Sequence, residues 1–330
     1  MENRDKAVVL LAGGRVIQRQ PMSTGQPDLT EEELMALLPD ELREHTAFQN
    51  WSLQPISNYT LRMCGEIISM AASFINNDGA RGVVVTCGLQ GLAELAYFAD
   101  LIWDLNLPLV FTGSLFNAGS RGSETSLRLE QSIRAVMSGY CRGKGALICI
   151  QDAIYSPADV LQICSFRRGI LAFPDAPLAV FAQPSGELLP LRAPRQRQVL
   201  SLGYPLSRNI EILSASLGDG DLMLKALLDK RFEELDGLII SGLGDGDVPS
   251  GWVPLIRKLV RAEIPIVLAS RAGGCVQDAE DFEGSASQLL EFGLIDAGML
   301  SPCQARLRLT VGLSAGLKGE DLARYMKGEQ

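Results

Sequence analysis

One glycine-rich turn in the first third of this sequence carries side chains that could do chemistry. The turn CGLQG (87–91) follows a β-branched run at 83–86 and leads into an apolar helical pattern. A tight glycine turn between a strand and a helix is where α/β proteins place their sites. The turn offers one thiol and one amide to a ligand.

The thiol of this turn belongs to Cys87, a candidate catalytic residue. It could act as a nucleophile if its surroundings lowered the pKa of the thiol. An activated nucleophile needs an adjacent base, and the only histidine, His45, lies in a segment predicted to be at the surface. A small buried thiol is therefore the favoured interpretation of Cys87.

A second turn, GLGDGD (242–247), brings two carboxylates close together. Asp245 and Asp247 could form a pair for acid and base chemistry, with Asp247 as the candidate catalytic member, or they could bind a cation. Aspartates in glycine turns also satisfy the turn backbone or cap the next helix. This structural role is the favoured interpretation.

Two further glycine turns follow predicted strands, AGGR (12–15) and TGS (112–114). Arg15 could bind a carboxylate or a phosphate, or it could lie exposed in the loop, and the residues alone favour neither. None of the four turns has the spacing of a dinucleotide fingerprint or a Walker loop. The seven cysteines show no CxxC spacing. We therefore predict reduced thiols, no metal and no cofactor.

The elements that must position these turns alternate along the chain. Apolar strand patterns alternate with helical patterns, which predicts mostly parallel sheets covered by helices. Between 183 and 209 four prolines interrupt the periodicity, and this stretch predicts a β-hairpin followed by a linker. We expect an N-terminal α/β domain at 1–190, a linker at 191–208 and a C-terminal α/β domain at 209–330. The predicted strands are 7–12, 82–86, 108–112, 145–150, 178–181, 210–214, 237–241 and 266–270, and the predicted helices are 57–76, 91–104, 123–137, 158–165, 221–230, 251–262, 285–292 and 301–313.

Charge and hydropathy exclude several classes of partner. A formal net charge of -9 argues against binding to nucleic acid or to an anionic membrane. The one cationic cluster, Arg192, Arg195 and Arg197, is predicted to be a solvated linker. No apolar stretch approaches the ~20 residues that span a bilayer, and the first apolar run is too short for a signal-peptide core. A cytoplasmic protein is expected.

Six segments, in order, resemble the bacterial-type L-asparaginase and glutaminase family over nearly the whole chain. They are VVLLAGGRVIQ, VVVTCGLQGLAELAYFAD, PLVFTGSLFNAGSRGSETSLRLEQSIRAV, GLIISGLGDGDVP, IPIVLASRAGGCVQDAE and GLIDAGMLSPCQARLRLTVGLS. The resemblance implies an asparaginase-like α/β fold with mostly parallel sheets, a larger N-terminal domain and a smaller C-terminal domain. It also implies a homodimer or homotetramer with sites at clefts between subunits.

The same resemblance implies that the family's catalytic side chains are replaced in this sequence. The two nucleophilic threonines of the family correspond to Ala12 and Leu89, and the adjacent aspartate corresponds to Gln90. The activating lysine corresponds to Gln162. The family's lid tyrosine has no counterpart, because the stretch from 15 to 50 contains no tyrosine.

Positions that contact the ligand in the family are changed less uniformly. The carboxylate-binding serine of the family corresponds to Ile56, which precedes Ser57. Glu280 matches a residue that family members contribute from the neighbouring subunit, and it could equally be a structural residue at the subunit contact. The glycines Gly13, Gly14 and Gly88 are retained.

Because nucleophiles and activators are replaced together, hydrolysis of asparagine or glutamine by the family mechanism is not expected. Three functions stay open: a cleft reused for another small molecule or reaction, a pseudoenzyme with a scaffold or regulatory role, and a residual amidohydrolase. The retained glycines favour reuse, although folding alone could require them. The ligand-binding candidates are Gly13, Gly14, Arg15, Ile56, Ser57, Gly88, Gln90, Asp245, Asp247 and Glu280.

Overall fold

The chain divides into two compact units, residues 1–199 and 200–330. The computed structural model describes residues 4–18, 29–52, 54–162, 171–172, 176–202, 206, 209–218, 220–231, 234–272 and 282–328. Glu280 lies outside these residues. No helix in the described part of the chain combines the length and the apolar character that crossing a bilayer requires.

Unit 1 is built on one eight-stranded sheet with the order β10-β9-β6-β5-β4-β3-β1-β2. The five strands from β5 to β2 run parallel, and β6, β9 and β10 add antiparallel pairings at the other edge. A separate antiparallel pair, β7 and β8, completes the strands of this unit. The strands are β1 (Ala7–Leu11), β2 (Thr46–Asn50), β3 (Gly82–Thr86), β4 (Leu109–Thr112), β5 (Ala146–Ile150), β6 (Ala153–Tyr155), β7 (Leu161–Gln162), β8 (Leu171–Ala172), β9 (Ala179–Ala182) and β10 (Glu187–Pro190).

Helices cover both faces of this sheet, because its parallel strands are apolar on both sides. Val9, Val84 and Val110 face Leu129 and Ile133 of the helix that follows β4. The alternate residues of the same strands point to the opposite face, where the helices before and after β3 pack. The helices are α1 (Glu31–Ala36), α2 (Asp40–Arg43), α3 (Leu61–Asn76), α4 (Leu89–Ile102) and α5 (Thr125–Met137).

Unit 2 repeats the plan on a smaller scale. Four parallel strands have the order β11-β12-β13-β14, and the central strand β12 is entirely buried. The elements are β11 (Ile210–Ser214), α6 (Leu222–Ala226) continued by a π-helical turn (Leu227–Arg231), β12 (Gly237–Gly242), α7 (Val253–Arg261), β13 (Ile266–Ser270), α8 (Ala286–Glu291), β14 (Ile295–Asp296), α9 (Pro302–Ser314) and α10 (Gly319–Lys327).

The predicted fold class, a larger and a smaller α/β unit with mostly parallel sheets, is confirmed. Every predicted strand is present. The hairpin predicted between 183 and 209 begins earlier, because its first strand is β9 and only the turn and β10 lie in that stretch. One predicted helix, 158–165, is wrong in its described part. Pro157–Asp159 forms a single 3-10 turn and Leu161–Gln162 is a strand, because the backbone is already extended at Val160, directly after the turn.

The cationic cluster at the end of unit 1 is not the solvated linker predicted from the sequence. Arg192 pairs with the buried carboxylate of Asp159 at 2.5 Å, and Arg197 pairs with the buried carboxylate of Asp100 at 2.9 Å. Arg195 is more exposed and lies 3.9 Å from Asp159. Ion pairs with buried carboxylates therefore fasten this segment to unit 1.

The two-residue turn between β5 and β6 stores backbone strain. Both residues, Gln151 (φ 50°) and Asp152 (φ 59°), are left-handed without being glycine. Such hairpin turns favour asparagine at the first position, because its side chain tolerates this conformation. We expect Gln151→Asn to stabilise unit 1 by about 0.5–1 kcal/mol in urea unfolding. Gln49→Asn, at an exposed position in β2, is the matched control and should give no gain; equal stabilisation by both would contradict the strain argument.

Candidate functional site

Three of the sequence-predicted turns meet at one edge of the unit 1 sheet. They follow β1, β3 and β4, which are neighbouring parallel strands whose carboxyl ends lie together. The Ala12 N–H donates to the Thr86 carbonyl at 3.0 Å, and the Cys87 N–H donates to the Thr112 carbonyl at 3.0 Å. These bonds hold the turns side by side, and the carboxyl edge of a parallel sheet is where ligands bind.

A cavity of about 290 Å³ opens at this edge within unit 1. Its size suits a small molecule, since it is at the lower end of the range for ligand pockets. Six of the ligand-binding candidates line it, together with Leu89, but Gly13 does not. The lining residues are Gly14, Arg15, Gln18, Pro55, Ile56, Ser57, Gly88, Leu89, Gln90 and Ser114.

Close backbone packing shapes the floor of the cavity. Gly14 has φ 87° and ψ 170°, and a Cβ added there would lie 2.5 Å from the Cys87 carbonyl oxygen. A Cβ on Gly113 would lie 2.7 Å from the same oxygen and 2.9 Å from Cδ2 of Leu89. The leucine side chain therefore packs against Gly113, where it forms an apolar wall.

The 3-10 turn Ile56–Asn58 forms the opposite wall and rests on the start of α4. A Cβ on Gly91 would lie 2.8 Å from Ile56, and one on Gly88 would lie 3.1 Å from the same side chain. These glycines let the isoleucine approach the helix backbone. Ser57, the next residue, lies exposed at the cavity rim.

Ala12 lies beneath the cavity and carries no reactive group. It is 1% exposed, and its carbonyl accepts a hydrogen bond of 2.7 Å from the hydroxyl of Tyr59. Trp51 packs edge-on against the Tyr59 ring at 5.5 Å between centroids. Burial raises the pKa of Tyr59 well above its usual value, so the phenol stays protonated and donates.

Cys87 also lies beneath the cavity, and it is completely buried. Burial, and to a lesser extent the nearby Cys64 thiol, raises the pKa of Cys87 far above its usual value. A thiol in this state has almost no thiolate at neutral pH. That Cys87 is a small buried thiol and not a nucleophile stays a prediction.

Arg15 is exposed and brings a positive charge to the cavity. One guanidinium nitrogen, Nη1, donates to the Leu115 carbonyl, which orients the side chain. Among the residues that the structure describes, Arg15 has no carboxylate partner. Gln90, at the start of α4, folds its amide towards Gly88, since a Cβ on Gly88 would lie 3.0 Å from its Oε1.

The carboxylates of the unit 2 turn are not paired with each other. Oδ1 of Asp247 accepts a 3.0 Å hydrogen bond from the backbone N–H of Ala286, the first residue of α8. Asp245 is exposed, without a hydrogen bond or ion pair to any described residue. Asp247 thus helps to cap α8, which is not the next helix along the chain, and the role of the two aspartates in a ligand site stays a prediction. The described residues contain no group of three or more side chains suited to holding a metal ion.

Sequence reasoning missed four residues of this site, namely Gln18, Pro55, Tyr59 and Ser114. Ser114 belongs to a turn that the sequence analysis did single out, so its place after β4 was a usable signal. Gln18 directly follows the 3-10 turn Arg15–Ile17, and Tyr59 directly follows the 3-10 turn Ile56–Asn58, so their nearness to Arg15 and Ser57 was also a usable signal. Gln162 is in β7.

Comparison with known proteins places both units in one family. Residues 6–187 match the N-terminal asparaginase domain, and residues 209–326 match the glutaminase/asparaginase C-terminal domain. A probable L-asparaginase of Deinococcus radiodurans is 28% identical over 97% of this chain and 96% of its own length. An L-asparaginase of Bacillus licheniformis is 25% identical over 96% and 98%, and a glutaminase-asparaginase of Pseudomonas aeruginosa is 24% identical over 96% and 88%.

A solved structure supports the fold. The crystal structure of a probable cytoplasmic L-asparaginase from Campylobacter jejuni superposes with a TM-score of 0.84, at 20% identity, over 98% of this chain and 99% of that one. The two domain matches together cover most of the sequence and coincide with the two α/β units. The chain therefore belongs to the asparaginase family.

Proposed function

We propose that this chain is a divergent asparaginase-family protein that binds a small molecule in the unit 1 cavity and does not hydrolyse amides by the family's threonine route. One observation carries the proposal. The cavity is open and framed by its glycine turns, yet the positions that match the family's nucleophiles hold Ala12 and Leu89, and neither side chain has a hydroxyl.

The remaining hydroxyls of the cavity lack a base. Ser114 is buried, and its Oγ donates to the Phe116 carbonyl at 2.7 Å. Ser57 is exposed at the rim. An alcohol becomes a nucleophile only beside a proton acceptor, and no lining residue among those described is histidine, aspartate, glutamate or lysine. Amide hydrolysis therefore lacks both an activated nucleophile and the group that would activate it.

A second candidate is an amidohydrolase, favoured by the relatives named asparaginase or glutaminase-asparaginase at 24–28% identity. For this function a serine or cysteine of unit 1 would have to replace the missing threonines. A scaffold role is less well supported, because the cavity is not filled by side chains. The expected cytoplasmic location and homo-oligomer stay predictions.

Purified protein at high concentration should release no ammonia from L-asparagine or L-glutamine above the uncatalysed background. Removing a whole catalytic unit of nucleophile and base costs on the order of 10⁶ in kcat, so any remaining turnover falls below detection in a coupled ammonia assay. Leu89→Val, which adds no hydroxyl, is the matched control and should be equally inactive. Ammonia release that is proportional to protein and abolished by Ser57→Ala, Ser114→Ala or Cys87→Ala would establish the amidohydrolase instead.

The binding part of the proposal has its own control pair. Ser57 and Asn58 are adjacent and exposed, but only Ser57 lines the cavity. Ser57→Trp should abolish the thermal stabilisation that small-molecule ligands give, and Asn58→Trp should leave it unchanged. If no compound from a panel of anions, zwitterions, cations and neutral amides stabilises the wild-type protein, the binding function is wrong.

A further inference from the structure

The charges around the unit 1 cavity are unbalanced. Arg15 is the one charged residue that lines it among those the structure describes, and no lining residue is acidic. One N–H group of the guanidinium is committed to the Leu115 carbonyl. The other N–H groups have no acceptor in the described part of the chain, so an anionic group in the cavity would find donors ready for it.

The amino end of α4 opens on the same cavity. The helix has 14 residues, its N-cap is Gly88 with no side-chain cap, and its first turn contains no acidic residue. The first N–H groups of a helix have no partner inside the helix, and the helix dipole favours negative charge there. Leu89 and Gln90 supply two of these N–H groups and also line the cavity.

A buried amide provides an independent sign of a ligand. Gln18 is only 6% exposed and lines the cavity. Its side chain has no hydrogen-bond partner among the described residues. A polar ligand in the cavity would find this amide available, because the amide can both donate and accept.

We propose that the cavity selects a small organic carboxylate that carries no ammonium group. The carboxylate binds between Arg15 and the amino end of α4, Gln18 bonds to the polar remainder, and Ile56 and Leu89 pack against the carbon chain. An ammonium group would be desolvated near Arg15 without a counter-charge, which disfavours zwitterionic amino acids. This inference rests on the proposed binding function and names its ligand class.

A matched pair of probes isolates the ammonium group. Succinamate and L-asparagine have the same carboxylate and amide, and differ by the α-ammonium alone. In isothermal titration calorimetry at pH 7.5 we expect succinamate to bind at least ~10-fold more tightly than L-asparagine, since an unpaired desolvated charge costs more than a factor of ten. Succinate, L-aspartate and inorganic phosphate complete the series.

Two variants with opposite effects test the residues. Arg15→Gln should weaken succinamate binding by roughly 10–100-fold, the range for losing a charged hydrogen bond, while Arg121→Gln, an exposed arginine outside the cavity, should change it less than twofold. Gln90→Asp adds a negative charge to the cavity and should shift the preference from succinamate towards L-asparagine. Thermal unfolding checks that each variant is folded.

The outcomes separate this inference from the function on which it rests. Binding of L-asparagine equal to or tighter than that of succinamate overturns the ligand class but leaves a binding cavity. Tighter binding of inorganic phosphate than of either carboxylate also overturns the ligand class and leaves a binding cavity. Succinamate binding that Arg15→Gln does not weaken overturns the assignment of the site. If no probe binds and Ser57→Trp matches the wild type throughout, the proposed binding function fails as well.

Discussion

Replacing Arg197 with alanine should destabilise unit 1 by roughly 3–5 kcal/mol, the range for removing one partner of a buried ion pair. Nη1 of Arg197 lies 2.9 Å from Oδ1 of Asp100 and 2.8 Å from its carbonyl oxygen, and Nη2 donates to the Trp103 carbonyl at 3.3 Å. Oδ1 of Asp100 also accepts from the Ala146 N–H at 3.1 Å. The arginine thus joins the end of α4, the start of β5 and the 191–199 segment.

The destabilisation of unit 1 by Arg197→Ala should grow as the pH rises. Burial raises the pKa of Asp100 from 3.8 to about 6, although Arg197 and the Ala146 N–H oppose the rise. A raised carboxyl pKa means that the folded state binds more protons, so the stability contributed by Asp100 falls as pH rises from about 4 to 6. Without Arg197 the pKa of Asp100 in the folded state rises further. The stability that Asp100 contributes therefore continues to fall at higher pH. The penalty of Arg197→Ala should therefore be larger at pH 8 than at pH 5.

Urea unfolding at the two pH values, followed by circular dichroism, measures this difference. Arg195→Ala is the control, because Arg195 is 56% exposed and 3.9 Å from its carboxylate partner, and it should cost less than about 1 kcal/mol. Adding Asp100→Asn to Arg197→Ala removes the stranded charge and should recover part of the loss at pH 8. A small, pH-independent effect of Arg197→Ala would show that the pair contributes little.

Local patterns were sufficient to predict the central strands of both large sheets. The sequence runs that form β1, β3, β4, β12 and β13 are short and apolar. These features are enough to identify strands that are buried on both faces. The position of the candidate site followed as well, since the carboxyl ends of neighbouring parallel strands meet at one edge. For the same reason, the turns after β1, β3 and β4 could be expected to lie together.

Contacts between distant residues could not be predicted in this way. Arg197 meets Asp100 across 97 residues, Tyr59 reaches Ala12 across 47, and Asp247 caps a helix 39 residues later. A cluster of arginines between prolines has the local composition of a solvated linker, and only the fold brings buried carboxylates to it. Strand β2 was missed because its sequence TAFQN (46–50) has neither a continuous apolar run nor a strict alternation of polar and apolar residues, so the local signal is weak.

Gly14→Ala should be the most disruptive single change at the cavity. Its φ of 87° and ψ of 170° lie in a region that is essentially restricted to glycine, where strain costs about 1–3 kcal/mol. The added methyl would also lie 2.5 Å from the Cys87 carbonyl oxygen, which is backbone and is held by β3. We expect a loss of roughly 2–6 kcal/mol, since overpacking adds about 1–3 kcal/mol to the strain.

Gly79→Ala separates strain from collision. Gly79 also has a left-handed φ, 76°, but a Cβ there would meet nothing closer than 3.6 Å. It should cost only about 1–2 kcal/mol, the strain alone, and leave succinamate binding unchanged. Gly14→Ala must push the turn after β1 away from the turn after β3, and so it should lower both the unfolding temperature and the affinity. If the two alanine variants are equally stable, the contact between these turns does not hold the cavity in shape.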